Sequence, residues 1–272
     1  MSHRIASTLA ALVRAGTCYL KPTRRTIARA AVCEMLAPEI VVPVPEGALH
    51  FLCPNPRAAH DPSHLYLAEP ETIRWIDALP DGAVLWDIGA GVGTYALYAA
   101  RHRGARVLAF EPSAATYAVL CENVRRNGLS RLVDAYNLAL AGESRLDHLF
   151  MAHAEAGQSM HAFGQRDTIA TRLDAPLTQA VLGLSIDDFV ARFSPPPPSH
   201  VKLDVDSIEE AILKGGAQTL ARHTQGILVE IDGAARAAGG KAIIDALAAA
   251  GFAEDKAFAR AGDTRNVLFR RG

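Results

Sequence analysis

The stretch from Ala83 to Pro112 reads AVLWDIGAGVGTYALYAARHRGARVLAFEP, and the rest of the chain is organised around it. An apolar run opens the stretch and leads into three glycines at alternate positions, Gly89, Gly91 and Gly93. Helix-forming residues follow, and a second apolar run ends at Glu111. This order predicts a strand, a glycine turn, a helix and a second strand.

The glycine turn and the acid after the second strand together predict a nucleoside-binding site. Closely spaced glycines let the backbone approach a ligand, and the following helix presents its free N–H groups to that ligand. Glu111 stands twenty-four residues after Asp87, at the strand end where an acidic side chain can accept both hydroxyls of a ribose. The stretch therefore predicts a cofactor that contains a nucleoside.

The spacing of the glycines discriminates between two such cofactors. When Gly89 is counted as position one, the dinucleotide fingerprint requires a glycine at position six. This chain has Thr94 there. An acid two residues before the first glycine, here Asp87, is typical of the methyltransferase version of the turn. S-adenosylmethionine is therefore favoured, and a nicotinamide-dependent oxidoreductase is the less favoured alternative.

Composition limits the classes of protein and partner. The chain has 272 residues, of which 50% are hydrophobic and 21% are charged, and its net charge is −1. These values predict a globular protein that does not coat nucleic acid. We predict an N-terminal extension at residues 1–68, made of helices and short strands, and a main domain at residues 69–272. The extension is expected to pack against the rest of the protein, and a substrate cap or a homodimer contact are the alternatives.

The cysteines and the apolar runs indicate the compartment. The four cysteines have neither a CxxC pair nor a metal-binding spacing, which predicts reduced thiols. No apolar run approaches the roughly 18–20 residues that cross a bilayer, so no membrane span is predicted. We expect a cytoplasmic protein.

Apolar runs alternate with helical patterns through the main domain. After the first two strands, we predict five more principal strands, within 133–140, 201–205, 226–232, 253–259 and 266–270, and a further strand within 145–151. We therefore predict an α/β fold with a seven-stranded doubly wound sheet, whose last strand is antiparallel, after a helical N-terminal extension.

Charged residues concentrate at the ends of the later strands. Lys202, Asp204 and Asp206 come at the end of the fourth principal strand, Glu209 follows on the next helix, and Glu230 ends the fifth strand. Ligands gather at the carboxyl edge of such a sheet, beside the switch point where the first and fourth strands are neighbours. We expect these acids to face the space beyond the glycine turn, although helix-start charges are the alternative interpretation.

Two further residues are candidates on weaker grounds. Glu69 precedes the helix predicted at 69–79, beside the glycine turn, where it can contact the cofactor or serve as a helix-start acid. His161 lies in a polar excursion at 154–172, a segment of the sort that covers a site. It is either a catalytic base or a surface histidine.

Four segments resemble the FkbM family of S-adenosylmethionine-dependent methyltransferases. They are EPETIRWI at 69–76, WDIGAGVGTYALY at 86–98, AFEP at 109–112 with Asn123 and Asn127-Gly128, and KLDVDSIEEAILKG at 202–215. The resemblance implies a class I methyltransferase (Rossmann-like) fold. It also implies methyl transfer to a hydroxyl of a sugar, a polyketide or a related secondary metabolite, with a small molecule as the acceptor.

The resemblance also implies roles for individual residues. Asp87, Gly89 and Gly91 would line the methionine part of the cofactor and Glu111 would bind the ribose, while Lys202, Asp204, Asp206 and Glu209 would lie at the reaction face. Asp206 replaces the usual Glu, and Ser207 replaces the usual Gly. Because Ser207 disfavours a positive φ, a cofactor-binding but inactive partner protein is a further alternative.

The complete prediction for the site has three groups of residues. The cofactor-binding residues are Glu69, Asp87, Gly89, Ala90, Gly91, Glu111, Pro112 and Asp204; the catalytic residues are Asp204, His161 and Lys202; the substrate residues are Asp206, Glu209 and Glu230. Asp204 is the first candidate for the general base, although a nearby Lys202 would lower its pKa. Two carboxylates also suit Mg²⁺, but the Asp-Asn pair of metal-dependent O-methyltransferases is absent from the sequence, so we do not favour a metal.

Overall fold

The computed structural model describes residues 2–159, 161–164, 176–205, 208–231, 240–259 and 266–272. The chain forms two compact units, residues 1–39 and residues 40–272. The division falls at residue 39, whereas the sequence analysis placed the end of the N-terminal extension at residue 68. The reason is that six side chains between these positions belong to the buried core of the second unit: Val42, Val44, Leu49, Phe51, Cys53 and Leu65.

The first unit consists of two helices, α1 (Ser2–Gly16) and α2 (Pro22–Met35). Arg25 on α2 donates to the carbonyls of Cys18 and Leu20, at 2.6 and 3.1 Å, just beyond the end of α1. Arg29 donates to Thr17 Oγ1 at 2.9 Å. Cations at this end of a helix are favoured by its macrodipole. Among all the helices described, none combines the length and apolar character needed to cross a bilayer.

The second unit alternates strands and helices. In chain order its elements are β1 (Glu39–Val44), β2 (Gly47–Leu52), α3 (His60–Ser63), α4 (Pro70–Asp77), β3 (Val84–Ile88), α5 (Thr94–Arg103), β4 (Arg106–Phe110), α6 (Ala114–Arg126), β5 (Val133–Tyr136), β6 (Ala139–Leu140), β7 (Arg145–Met151), β8 (Ala162–Phe163), β9 (Leu177–Leu184), α7 (Ile186–Phe193), β10 (His200–Leu203), α8 (Glu209–Gly215), α9 (Ala217–His223), β11 (Gly226–Glu230), α10 (Gly240–Ala249), β12 (Phe252–Glu254), α11 (Lys256–Ala259) and β13 (Asn266–Arg271). The first two strands form a two-stranded sheet.

The central sheet is mixed and has seven strands, in the order β12-β13-β11-β10-β3-β4-β5. The strands from β11 to β5 are parallel, while β13 runs antiparallel to β11 and to β12. The strand β10 lies beside β3, with Lys202 opposite Asp87. The predicted neighbourhood of the first and fourth principal strands is thus confirmed.

Helices cover both faces of the central sheet. Leu85 and Val107 face one core, which includes buried residues of α4, α5 and α6. Trp86 and Phe110 face the other core, which includes buried residues of α7, α8, α9 and α10. The alternation of side chains along each strand therefore divides the apolar residues between two layers.

A second sheet of four strands, in the order β6-β9-β7-β8, was not foreseen. The strand predicted at 133–140 is split, because β5 joins the central sheet and β6 pairs with β9 in the second. Between them, Asn137 Nδ2 donates to the carbonyls of Glu111 and Pro112, at 2.9 and 3.0 Å. The strand β9 escaped prediction because Leu177 and Leu182 are exposed, which obscures the alternation of a half-buried strand.

Candidate active site

The glycine turn lies between the end of β3 and the start of α5. Gly89, Gly91 and Gly93 have φ angles of +86°, +56° and +89°, which glycine adopts without steric cost. A Cβ at Gly89 would stand 1.8 Å from the carbonyl oxygen of Asp204, so only glycine fits beside β10. A Cβ at Gly91 would meet no atom within 4 Å. The turn is thus packed on one side and open on the other.

Glu111 contacts the glycine turn directly. Its Oε2 accepts a hydrogen bond from the Gly91 N–H at 3.0 Å, and its Oε1 accepts one from the Ser113 N–H at 2.8 Å. Hydrogen bonds to an ionised acceptor are strong, and they fix both carboxylate oxygens at the end of β4. Because each oxygen can accept more than one hydrogen bond, this carboxylate can still receive a ligand's hydroxyls.

The main-chain carbonyls on either side of Glu111, those of Phe110 and Pro112, accept further hydrogen bonds. The N–H groups of Gly89 and Ala90 both donate to the Phe110 carbonyl at 3.0 Å, which joins the start of the turn to the end of β4. The carbonyl of Pro112 accepts from Gln179 Nε2 at 2.8 Å. Gln179 belongs to β9, so the second sheet borders the predicted cofactor site.

Asp87 is a carboxyl buried at the end of β3. It is 1% exposed, and neither of its oxygens has a hydrogen-bond partner in the part of the chain that the structure describes. Burial raises the pKa of Asp87 to about 6; Lys202 opposes that rise, while Asp204 and Glu69 add to it. Buried polar atoms normally have a partner, so this carboxyl suits a site that receives a polar ligand.

Lys202 lies at the centre of a cluster of charged side chains. Its Nζ is 2.6 Å from Asp204 Oδ2, 4.0 Å from Glu69 Oε2 and 5.1 Å from the ring centre of Tyr95. Lys202 is 2% exposed. Burial alone would lower the pKa of Lys202, but the carboxylates of Asp204, Glu69 and Asp87 outweigh burial and raise it well above its ordinary value. We call these four residues, Glu69, Asp87, Lys202 and Asp204, the Lys202 cluster.

Glu69 reaches the cluster from the start of a helix. The helix predicted at 69–79 forms α4, and Glu69 Oε2 accepts from Thr72 Oγ1 at 2.7 Å. Asn266 Nδ2, at the start of β13, donates to Glu69 Oε2 at 3.2 Å and to Glu71 Oε1 at 3.1 Å. Asn266 was not predicted from the sequence, in which it is simply a polar residue at the start of a short apolar run.

The predicted substrate residues are placed as follows. Glu209 is buried in the first turn of α8, and Glu230 ends β11 in register with Asn266. Asp206 lies outside the described residues, as does Ser207. The substrate roles of Glu209, Glu230 and Asp206 therefore stay predictions.

His161 lies just before β8 in the second sheet. Its Nε2 is 2.9 Å from the Gln158 carbonyl, and its buried Nδ1 has no hydrogen-bond partner among the described residues. Burial lowers the pKa of His161. Within the described part of the chain, no hydrogen bond or ion pair joins His161 to Asp204 or Lys202, so its catalytic role stays a prediction.

Comparison with known proteins assigns the family. The model of the methyltransferase FkbM domain matches residues 87–254, well over half of the chain. The chain belongs to the FkbM methyltransferase family. The resemblance noted in the sequence is thus confirmed, and three members of the Lys202 cluster lie inside the matched region, whereas Glu69 and Asn266 lie outside it.

One curated relative and one solved structure extend this result. The chain is 28% identical over 164 residues to the hexuronic acid methyltransferase AglP of Haloferax volcanii, which covers 60% of this chain and 62% of AglP. The chain thus spans less than two thirds of that relative's length. The crystal structure of the methyltransferase FkbM from Methylobacillus flagellatus KT gives a TM-score of 0.51 at 13% identity, covering 78% of this chain and 51% of that one. This second likeness shows the shared fold.

Proposed function

We propose that this protein is an S-adenosylmethionine-dependent methyltransferase that methylates a hydroxyl of a sugar or a related metabolite. The observation that carries this proposal is the contact of the Glu111 carboxylate with the Gly91 N–H, beside space that is open at Gly91. The buried Asp87 carboxyl, whose oxygens have no hydrogen-bond partner among the described residues, adds a second acceptor at the same edge of the sheet. A ribose diol and a positively charged amino group are the donors that would suit these two acceptors.

The binding roles follow from this geometry. Glu111 binds the ribose hydroxyls, and Asp87 binds the amino-acid end of the cofactor. The backbone of the glycine turn lines the space between them, with Pro112 beside Glu111. The cofactor supplies an electrophilic methyl group, so the chain's own task is to orient an acceptor oxygen in line with that group and to exclude water.

Asp204 acts on the acceptor side in this proposal. The Lys202 ammonium at 2.6 Å stabilises the ionised form of Asp204, which makes it a weak base for a free alcohol. Asp204 therefore first accepts a hydrogen bond from the acceptor hydroxyl and orients its oxygen, and it receives the proton as the methyl group moves. Proton acceptance of this kind contributes about 10²–10⁴-fold to a rate.

Lys202 has a role that in other sites a metal ion can fill. Its ammonium stands among three carboxylates and supplies the positive charge that balances them. In the part of the chain that is described, no group of three His, Cys, Asp or Glu side chains is arranged to bind a metal ion. Because Lys202 already balances these carboxylates, we propose a reaction that does not need Mg²⁺, and turnover that survives a chelator is its test.

The acceptor class is proposed from the relative. AglP is described as a hexuronic acid methyltransferase, so glycosides of hexuronic acids are the first acceptors to test, followed by neutral glycosides and polyketide alcohols. The assay is the gain of one methyl group, measured by mass spectrometry. If no member of the three classes is methylated while the cofactor binds, the acceptor part of the proposal is wrong.

The cofactor is tested by calorimetric titration with S-adenosylhomocysteine, in parallel with NADH. We expect the wild-type protein to bind the first ligand, and Glu111→Ala to weaken that binding by at least about 100-fold, because it removes charged hydrogen bonds. Asp81→Ala is the control, because its side chain is 91% exposed and lies before β3. A wild-type protein that binds NADH, or neither ligand, would contradict the proposed function.

A further inference from the structure

Val92, the residue between Gly91 and Gly93, is enclosed by two loops that are distant in the chain. It is 2% exposed and packs against Ala58 and Ala156, together with Val119 of α6. The first alanine lies between β2 and α3, and the second lies between β7 and β8. We call these two loop segments, residues 55–58 and 156–159, the clasp.

Side-chain hydrogen bonds join the two halves of the clasp. Asn55 Nδ2 donates to the Ala156 carbonyl at 3.0 Å. Arg57 donates twice, from Nε to the Gly157 carbonyl at 3.0 Å and from Nη2 to Ser159 Oγ at 2.9 Å. In these three hydrogen bonds the donors are on the first loop and the acceptors are on the second. The two loops are therefore joined directly to each other beside the glycine turn.

The backbones of the two loops meet at Gly157. Its φ is +80°, and a Cβ there would stand 2.6 Å from Ala58 Cα, so the two backbones are in direct contact. Its N–H donates to Thr116 Oγ1 at 3.1 Å. Because Thr116 is on α6, the helix that follows Glu111, the clasp is anchored on the same helix that borders the ribose-binding carboxylate.

Asn123, on the same helix as Thr116 and Val119, fixes the main chain of the turn. It is fully buried on α6, and its Nδ2 donates to the Val92 carbonyl at 2.9 Å. Its Oδ1 accepts from the Leu52 N–H at 2.7 Å, at the end of the strand that leads into the first loop of the clasp. Asn123 was part of the family resemblance, but no role had been attached to it.

We propose that the clasp retains the bound cofactor: it stabilises the binding shape of the glycine turn, and the cofactor leaves when the two loops separate. This inference rests on the proposed function. Arg57 is a positioning residue in it, acting through the loops on Val92. The contact is small and partly exposed at Ser159, so it can open locally without unfolding of the central sheet.

The kinetics of S-adenosylhomocysteine binding test the proposal. We expect Arg57→Ala to speed dissociation about tenfold, because it removes two hydrogen bonds and each one weakens a closed state several-fold. Arg57→Lys retains the charge but cannot make both contacts, so an intermediate rate is expected. Gly157→Ala forces the backbones apart and should act in the same direction as Arg57→Ala.

Arg106→Ala is the matched control. It also removes an arginine from a partly exposed contact, the 2.8 Å ion pair with Asp134, but it does so at the start of β4, away from the turn. Its dissociation rate should stay within about twofold of the wild-type rate, because exposed ion pairs contribute little. Thermal melting of each variant verifies that it is folded before its rate is compared.

A second readout does not use the ligand. Hydrogen exchange of a peptide that covers residues 89–94 should be faster in ligand-free Arg57→Ala than in Arg106→Ala, since the clasp holds Val92. Unchanged exchange of this peptide, or an unchanged dissociation rate in folded Arg57→Ala and Gly157→Ala, would overturn the clasp. A wild-type protein that does not bind S-adenosylhomocysteine would instead refute the proposed function, and the exchange result would still decide whether the clasp constrains the turn.

Discussion

The glycine turn and the Lys202 cluster lie on neighbouring strands of one sheet, yet different forces stabilise them. In the turn, Glu111 is fixed by the N–H groups of Gly91 and Ser113, all within a short stretch of chain. In the cluster, Lys202 balances carboxylates that come from three separate segments. Local hydrogen bonds respond to a substitution one at a time, whereas buried charges in contact respond together. The glycine turn and the Lys202 cluster should therefore differ in how substitutions affect cofactor affinity, reaction rate and stability.

The largest expected effect separates cofactor binding from reaction. Asp204→Asn retains the shape of the side chain but removes its charge, so we expect turnover to fall by about 10²–10⁴-fold. The affinity for S-adenosylhomocysteine, measured by calorimetry, should change less than about threefold, because Glu111 and the glycine turn are untouched. Asp81→Asn, at an exposed position before β3, is the control. A parallel loss of affinity would mean that Asp204 also binds the cofactor, and that the glycine turn and the Lys202 cluster do not act separately.

Lys202→Met tests whether the cluster is a unit. Removing the ammonium leaves buried carboxylates without their balancing charge, so we expect the free energy of unfolding to fall by about 3–5 kcal/mol in urea titrations at neutral pH. Lys214→Met is the matched control, since that lysine is 66% exposed in its pair with Glu210 and should cost less than about 1 kcal/mol. Equal losses in both variants would show that the carboxylates do not depend on Lys202.

The contrast between the glycine turn and the Lys202 cluster also explains what the sequence could predict. The turn, from Asp87 to Glu111, follows the chain order of strand, glycines, helix and strand, so spacing alone indicated its elements and the acid beside them. The pairing of β3 with β10 was also predictable, because the order of strands in a doubly wound sheet is restricted. That pairing was enough to bring Lys202 and Asp204 to the right edge of the sheet.

Contacts that join distant segments were not predictable in the same way. Asn266 is 197 residues from Glu69, and no periodicity links the two. The loops around Val92 meet through Asn55 and Arg57, which are ordinary loop residues in sequence. The second sheet was missed because two leucines of β9, Leu177 and Leu182, are exposed. In each case the information lies in the tertiary packing rather than in a local pattern.

The pH dependence of stability provides a smaller test, centred on Asp87. Its pKa is raised from 3.8 to about 6 by burial, so the folded protein favours the protonated carboxyl. Stability from this group is fully present below pH 3.8 and is lost as the pH rises through about 6, a difference on the order of 3 kcal/mol. In ligand-free urea titrations, Asp87→Asn should lack this loss, and the gap between variant and wild type should widen from pH 4 to pH 8. A constant gap would mean that Lys202 keeps Asp87 ionised.

Asn266→Ala is the mildest change and asks how far the cluster extends. Asn266 bonds to Glu69 and Glu71 from outside the region that the family model matches. Its loss removes buried donors from two carboxylates, and we expect a decrease of about 1–2 kcal/mol in the free energy of unfolding. Gln225→Ala, at an exposed position before β11, is the control and should be nearly neutral.

Measurements of turnover test whether Asn266 contributes to catalysis as well as to stability. If it positions Glu69 against Lys202, turnover should fall a few-fold while the affinity for S-adenosylhomocysteine, which depends on Glu111, stays constant. An effect on stability with no effect on turnover would confine the working cluster to Asp87, Lys202 and Asp204, the members inside the matched region. The terminal strand β13 would then contribute to the packing of the sheet alone, and the boundary of the site would coincide with that of the family.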